Sequence, residues 1–196
     1  MKKIGVWWVL VLVLLVSYIG CRKYQGDGAF RKYRIFSNHC QYEVDFGQIT
    51  LDRIDNRTYQ FSGAPSSEYW LCLRIGPVVL NRSQAENLDK VVLEMPEGKA
   101  ELSLSLFGSM GTVLVQVHSQ LSSPSWHWSE TRITNFPPQA DGTAQFYFNV
   151  YPKVDNSDVF FKLRAGERYT MRIATLNPSQ NQEHEVELLL QGGFWK

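Results

Sequence analysis

The amino-acid sequence predicts an all-β protein folded as a single antiparallel β-sandwich. Many short segments alternate apolar with polar residues, which is the period-two pattern of a strand with one buried face. Turn residues separate these segments at intervals of roughly ten to fifteen residues, a spacing typical of antiparallel sandwiches and not of βαβ units. Because no linker or internal repeat divides the chain, we expect one domain of about nine or ten strands.

The first half of the domain is expected to contain a central strand and a short helical stretch. Residues 42–46 alternate aromatic or aliphatic side chains with acidic ones, so they predict a half-buried strand. Residues 69–75 are apolar on both faces, which predicts a central strand, and Gly76 with Pro77 ends it. Residues 81–90 have helical character and capping residues, with room for about two turns.

Two hairpins are expected in the second half of the domain. Residues 102–106 and 113–117 alternate leucine or valine with polar residues around a turn at 108–111. Residues 169–173 and 186–190 alternate in the same way, and we expect them to pair across a loop rich in Pro, Ser and Gln. The remaining strands expected in this half are 144–150 and 159–163.

Two cysteines, Cys40 and Cys72, lie within the predicted domain. In an oxidising compartment such a pair is expected to form a disulfide. Two buried free thiols are the alternative, because a disulfide also requires the two backbones to lie close together.

The beginning of the chain has the composition of an export signal. Lys2 and Lys3 precede a mostly apolar stretch over 4–19, and the small residue Gly20 stands before Cys21. As a helix this stretch would extend about 24 Å, which is shorter than the roughly 30 Å hydrocarbon core of a bilayer. A membrane-spanning anchor and an ordinary cleaved signal peptide are the alternatives to a signal that uses Cys21.

The segment Ser17-Tyr18-Ile19-Gly20-Cys21 resembles the lipobox of bacterial lipoproteins, with Tyr18 where that family usually has leucine. The resemblance implies cleavage by the lipoprotein signal peptidase before Cys21, which then carries acyl chains such as palmitate and holds the protein on a membrane. Arg22 stands where an aspartate retains lipoproteins at the inner membrane, which implies an outer-membrane protein facing the periplasm. The expected division of the chain is a signal peptide at 1–20, a lipidated tether at 21–34 and the β-sandwich domain at 35–196.

No set of residues in the sequence predicts catalysis, a metal site or a cofactor. Gly108-Ser109-Met110-Gly111 falls one residue short of a nucleophile elbow and stands in a predicted turn. The histidines are far from one another in sequence, and the acidic stretch 155–158 lacks the spacing of an EF-hand loop. Twenty Lys and Arg against nineteen Asp and Glu make the chain nearly neutral, which argues against nucleic-acid binding. We therefore expect a protein that is not an enzyme.

Trp126-His127-Trp128, in a predicted Ser- and Pro-rich loop, is the candidate binding surface. Two neighbouring indoles could anchor a protein partner or stack on a sugar. The alternative is that they close one end of the sandwich, and the same two possibilities apply to Trp195.

Near the end of the chain, GERYTMRIATLNP and EVELLLQGG are similar to an uncharacterised family of small proteobacterial lipoproteins with one β-sandwich domain. Small lipid-tethered domains without catalytic residues are also similar to immunity proteins that are paired with membrane-attacking toxins of contact-dependent secretion systems. These resemblances imply a non-enzymatic protein that binds a protein partner, such as a toxin effector, in the periplasm. A structural or assembly lipoprotein of an envelope or secretion machine and a carbohydrate-binding module are the alternatives.

Overall fold

The computed structural model describes residues 24–36, 39–132, 143–155 and 157–193 of this protein. Within them, two antiparallel sheets pack against each other, which confirms the predicted all-β sandwich. The strands are, in chain order, Gln25–Gly26 (β1), Ala29–Phe36 (β2), His39–Gln48 (β3), Asp55–Ser62 (β4), Ser67–Leu80 (β5), Glu101–Phe107 (β6), Val113–Gln120 (β7), Trp126–Arg132 (β8), Ala144–Val154 (β9), Ser157–Asp158 (β10), Phe160–Leu163 (β11), Arg168–Asn177 (β12) and Val186–Gly192 (β13).

Among the described residues, helical structure is confined to short segments between β5 and β7. These segments are Arg82–Ala85 (α1), Leu88–Glu94 (α2) and the 3-10 turns Pro96–Lys99 and Ser109–Gly111. In the part of the chain that the structure describes, no helix is both long and apolar enough to cross a membrane.

The order of strands in the sheets confirms one predicted hairpin and contradicts the other. The smaller sheet has the order β1-β4-β12-β6-β7, so β6 and β7 pair as expected. The larger sheet has the order β2-β3-β13-β5-β9, with β8 and β10 paired to β9 and β11 paired to β5. The expected pairing of β12 with β13 is wrong, because these strands belong to different sheets. The loop 178–185 therefore crosses from one sheet to the other.

The core lies between the sheets and follows from the alternation of side chains along each strand. In β6, Leu102, Leu104 and Leu106 are fully buried, while Glu101 and Ser103 on the opposite face are partly exposed. Because successive side chains of a strand point to opposite faces, one apolar face per strand is enough to form the core. Full burial of each leucine stabilises the fold by about 1.5–3 kcal/mol.

The folded domain begins earlier than the expected boundary at residue 35. Residues 25–36 form β1 and β2, which pair with β4 and β3, so the expected tether over 21–34 is wrong from Gln25 onward. The ring of Tyr24 lies 5.5 Å from the ring of Phe30 and 6.3 Å from that of Phe61, which holds the start of the described chain against the sandwich. Residues 21–23 lie outside the described residues.

The expected disulfide between Cys40 and Cys72 is not formed, because Cys72 is a buried free cysteine. Cys72 pairs with Leu189 of β13, which in turn pairs with Asp45 of β3. Cys40 precedes Asp45 by five residues on β3. The two cysteine backbones are therefore about 10 Å apart across the sheet and about 16 Å apart along the strands. A disulfide needs Cα atoms within about 7 Å of each other.

The two ends of the sandwich differ in the segments that they bring together. At one end, which we name the β1 end, Gln25, Ser62 and Arg168 lie side by side on neighbouring strands. The β6–β7 turn at 108–112 lies at this end too, because the last residues of β6 pair with the first half of β12. The opposite end carries the loop 178–185, and we name it the cleft end.

Candidate functional site

An open cleft of about 580 Å³ lies at the cleft end of the sandwich. Two segments form its walls, residues 48–57 and the last part of the loop 178–185. The walls carry charges of both signs. The ionisable residues that line the cleft are Asp52, Arg53, Arg57, Glu183, His184 and Glu185.

The loop 178–185 is fastened to the sandwich by the carboxylate of Glu97, which is fully buried. Its Oε1 accepts hydrogen bonds from the backbone N–H of Glu183 at 2.8 Å and of His184 at 2.7 Å. The ring Nδ1 of His184 lies 3.3 Å from the same oxygen, within ion-pair distance but without the alignment of a hydrogen bond. The carboxylate of Glu97 thus fixes the backbone of two residues that line the cleft, Glu183 and His184.

The pKa values of Glu97 and His184 shift in opposite directions. Burial by itself would raise the pKa of Glu97, but the adjacent imidazole of His184 and the hydrogen bonds from backbone N–H groups outweigh burial and hold that pKa below its ordinary value. The Glu97 carboxylate raises the pKa of His184, although burial of the imidazole opposes the rise. Glu97 is therefore ionised inside the protein at neutral pH, where its charge stabilises the surrounding donors.

Further hydrogen bonds join the two walls of the cleft. The amide side chain of Gln182 accepts from the backbone N–H of Leu51 at 2.7 Å and donates to the carbonyl of His184 at 2.9 Å. The backbone N–H of Ser179 donates to the carbonyl of Leu51 at 2.8 Å. Because both walls are tied together before any partner arrives, little conformational entropy is lost when a partner binds.

The wall 48–57 also presents fixed charge and an exposed apolar side chain. The Nε of Arg57 donates to Asp55 at 2.7 Å, and its guanidinium also donates to the carbonyl of Gln48. Ile54, between Arg53 and Asp55 in sequence, is 71% exposed. An aliphatic residue surrounded by charged ones is a common arrangement at the centre of a protein interface.

Trp126, His127 and Trp128 belong to strand β8 and not to the expected loop. Trp126 is 4% exposed, and its Nε1 donates to the hydroxyl of Ser119 at 2.9 Å. The Nε1 of Trp128 donates to the carbonyl of Leu121 at 2.9 Å. The buried indole of Trp126 thus closes the sandwich beside β7, as in the alternative interpretation, whereas Trp128 is hydrogen-bonded at the same place but is partly exposed.

His127 is the member of this tripeptide that faces outward. Its side chain is 43% exposed, and its Nδ1 lies 3.0 Å from a carboxylate oxygen of Asp158. Trp195 and Cys21, the other residues for which the sequence predicts a role, lie outside the described residues.

The free thiol of Cys72 has low nucleophilic reactivity. Burial raises the pKa of the Cys72 thiol to about 12, although the nearby Arg74 opposes the rise. A thiol is nucleophilic only as the thiolate, so Cys72 does not serve as a reactive cysteine.

The cleft does not assemble a recognisable catalytic or metal site from the described residues. Ser179 donates its hydroxyl to backbone carbonyls, at 2.7 Å to Asn181 and 3.3 Å to Leu51, so its proton is not directed to His184. No group of three or more His, Cys, Asp or Glu side chains within the described ranges could hold a metal ion.

Nothing in the sequence indicates that Glu97 and His184 are partners. Glu97 stands between Pro96 and Gly98, a pattern typical of an exposed turn, and His184 is isolated from other histidines in sequence.

No protein family and no curated protein sequence matches this chain.

Proposed function

We propose that this protein is a non-enzymatic, lipid-anchored protein of the bacterial envelope that binds a protein partner through its cleft end. The most specific form of the proposal is an immunity protein that neutralises a toxin acting in the periplasm. The observation that carries it is the cleft itself, whose loop is held in place by the buried carboxylate of Glu97.

The character of the cleft supports a protein partner over a small ligand. Its walls are open and polar, and they alternate acidic residues with Arg53 and Arg57. Patterns of both charge signs select one partner surface and reject others by unfavourable like-charge contacts. The exposed side chain of Ile54 adds an apolar anchor next to these charges.

The lipobox-like segment supports the anchoring and the location. Acylation of Cys21 would hold the protein on the periplasmic face of the outer membrane, where Arg22 in place of aspartate favours delivery. Cys21 precedes β1, so the anchor would lie at the β1 end, opposite the cleft. This arrangement would direct the cleft toward the periplasm, from which a toxin approaches.

The mechanism proposed for neutralisation is stoichiometric occlusion. The two walls of the cleft would cover the mouth of the toxin's active site and prevent access of its substrate. Such inhibition requires no chemistry from the inhibitor, only a complementary surface that is rigid before binding.

The proposal is tested with the full-length lipoprotein and the product of the neighbouring gene. We expect co-purification of the two proteins and protection of cells that express the neighbouring protein in the periplasm. The double variant Arg53→Glu with Ile54→Asp should lose both binding and protection. Val154→Asp is the matched control, because Val154 is also an exposed aliphatic residue, at 44%, but lies on β9.

Different outcomes separate this proposal from its rivals. Absence of binding and of protection by the wild-type protein would overturn the immunity function. Impaired envelope assembly on deletion, without any toxin present, would instead favour a structural or assembly lipoprotein.

A further inference from the structure

We propose that the β1 end of the sandwich is a membrane-contacting surface that lies directly on the phospholipid headgroups. The inference rests on the proposed acylation of Cys21 and adds the orientation of the domain on the bilayer. It commits to a lipid surface as the occupant of this end.

Very little chain separates the proposed anchor from the fold. Strand β1 begins at Gln25, and Tyr24 is already packed on Phe30 and Phe61. Only Arg22 and Lys23 separate Cys21 from Tyr24. Three extended residue steps span at most about 11 Å, so the acylated residue and the packed Tyr24 must lie that close together. A link of this length cannot hold the domain away from the bilayer.

Other exposed residues lie at the same end of the sandwich as the start of β1. Strand β1 is separated from the β6–β7 hairpin by β4 and β12, a distance of about 14–19 Å across the sheet. The turn 108–112 is level with Gln25 and Arg168 along the strands. A flat bilayer surface that receives the acyl chains of Cys21 would therefore also meet this turn.

The tip of that turn is apolar. Met110 is fully exposed, at 100%, and Val113 is 51% exposed. The φ of Met110 is +61°, in the left-handed region that residues other than Gly and Asn adopt at a cost. Met110 thus exposes a long apolar side chain to solvent, in a backbone conformation that Gly or Asn would adopt at a lower energetic cost. An exposed apolar tip of this kind suits contact with the interfacial region of a membrane when basic residues lie beside it.

Basic residues lie beside the tip. A cavity of about 530 Å³ lies between the turn and β11–β12, and Met110, Lys162 and Arg164 are among its lining residues. The side chains of Lys162 and Arg164 are 76% and 79% exposed. Their ion pairs, with Glu68 at 3.6 Å and Glu167 at 3.8 Å, are exposed and therefore weak. Lipid phosphates can compete for such cations, and basic residues around an apolar tip are typical of interfacial contacts.

The experiment measures the depth of two positions in the full-length lipoprotein reconstituted in vesicles of phosphatidylethanolamine and phosphatidylglycerol. An environment-sensitive fluorescent amino acid replaces Met110 in one variant and Ile54 in the other. Ile54 is the matched control, because it is an exposed aliphatic residue, at 71%, at the cleft end. Flotation first establishes that each protein is bound to the vesicles, and brominated lipids then quench any probe that reaches the acyl chains.

We expect a blue-shifted emission and severalfold stronger quenching at position 110 than at position 54. In a Lys162→Glu and Arg164→Glu background, quenching at position 110 should fall. Flotation with equal quenching at the two positions would overturn the orientation while leaving the anchor intact. Failure of the protein to float would overturn the lipid anchor itself, and with it this inference.

Discussion

The backbone N–H of His184 donates a 2.7 Å hydrogen bond to the buried carboxylate of Glu97, although the two residues are 87 positions apart in the chain. The bond joins the 3-10 turn before β6 to the loop that crosses between the sheets. The cleft end owes its shape to this contact, because the loop forms one of the two walls.

Replacement Glu97→Ala is expected to destabilise the protein by about 2–4 kcal/mol. The substitution leaves the backbone N–H groups of Glu183 and His184 without their acceptor inside the protein, and unpaired buried donors are costly. Urea denaturation followed by circular dichroism measures the loss. Glu94→Ala is the control, because the side chain of Glu94 is 68% exposed on α2. Equal midpoints for the two variants would contradict this role of Glu97.

The stabilising effect of the Glu97–His184 pair is expected to depend on pH. The pKa of His184 is raised from 6.5, so its contribution is complete below about pH 6.5 and is lost as the pH rises through the raised value. The pKa of Glu97 is lowered from 4.5, so its contribution is present above about pH 4.5 and is lost as the pH falls. The pair therefore stabilises most between about pH 4.5 and 6.5.

The variant His184→Gln tests this dependence. Its free energy of unfolding should fall further below that of the wild type at about pH 5.5 than at about pH 8.5. His118→Gln is the control, because His118 pairs with Glu101 on the surface, where its side chain is 59% exposed. A deficit of His184→Gln that is the same at both pH values would show that the charge of the imidazole is irrelevant.

The sequence predicted strands such as β6, β7 and β12 because alternation is a local property, whereas β1, β2 and β8 were expected to be tether or loop. Leu102, Leu104 and Leu106 define the buried face of β6 without reference to any other segment. The pairing of strands is not local. The alternating residues of β12 and β13 suited a hairpin equally well, and nothing in them indicated that the loop between them changes sheets. The bond from Ser179 to Leu51, which directs that loop, joins residues far apart in sequence.

The candidate site depends even more than the strand pairing on contacts between residues far apart in sequence. Glu97 has no local signal, since its role arises only when the loop containing His184 folds over it. The tripeptide Trp126-His127-Trp128 did contain a usable signal. Its own alternation places both indoles on one face of a strand, which is the arrangement that the structure has.

Trp126 is expected to be a structural residue and not a binding anchor. Trp126→Ala removes an indole that is 4% exposed and hydrogen-bonded to Ser119, so it should destabilise the protein by about 3–5 kcal/mol. His127→Ala, at the outward-facing position beside it, should change stability by less than about 0.5 kcal/mol. Thermal denaturation of the two variants compares them directly. A Trp126→Ala protein as stable as the wild type would contradict the structural role of Trp126 and would favour a role in binding.

Cys72 is expected to resist alkylation in the folded protein. Because burial raises the pKa of the Cys72 thiol to about 12, the thiol is essentially un-ionised at pH 8, and the sulfur is also shielded from solvent. Iodoacetamide labelling followed by peptide mass spectrometry should find Cys72 unmodified in buffer and fully modified in guanidinium. The labelling in denaturant must not require a reducing agent, because a disulfide to Cys72 would block it. Rapid labelling in buffer would show that β5 opens locally. Labelling in denaturant only after reduction would show that Cys72 does form a disulfide, against the strand register.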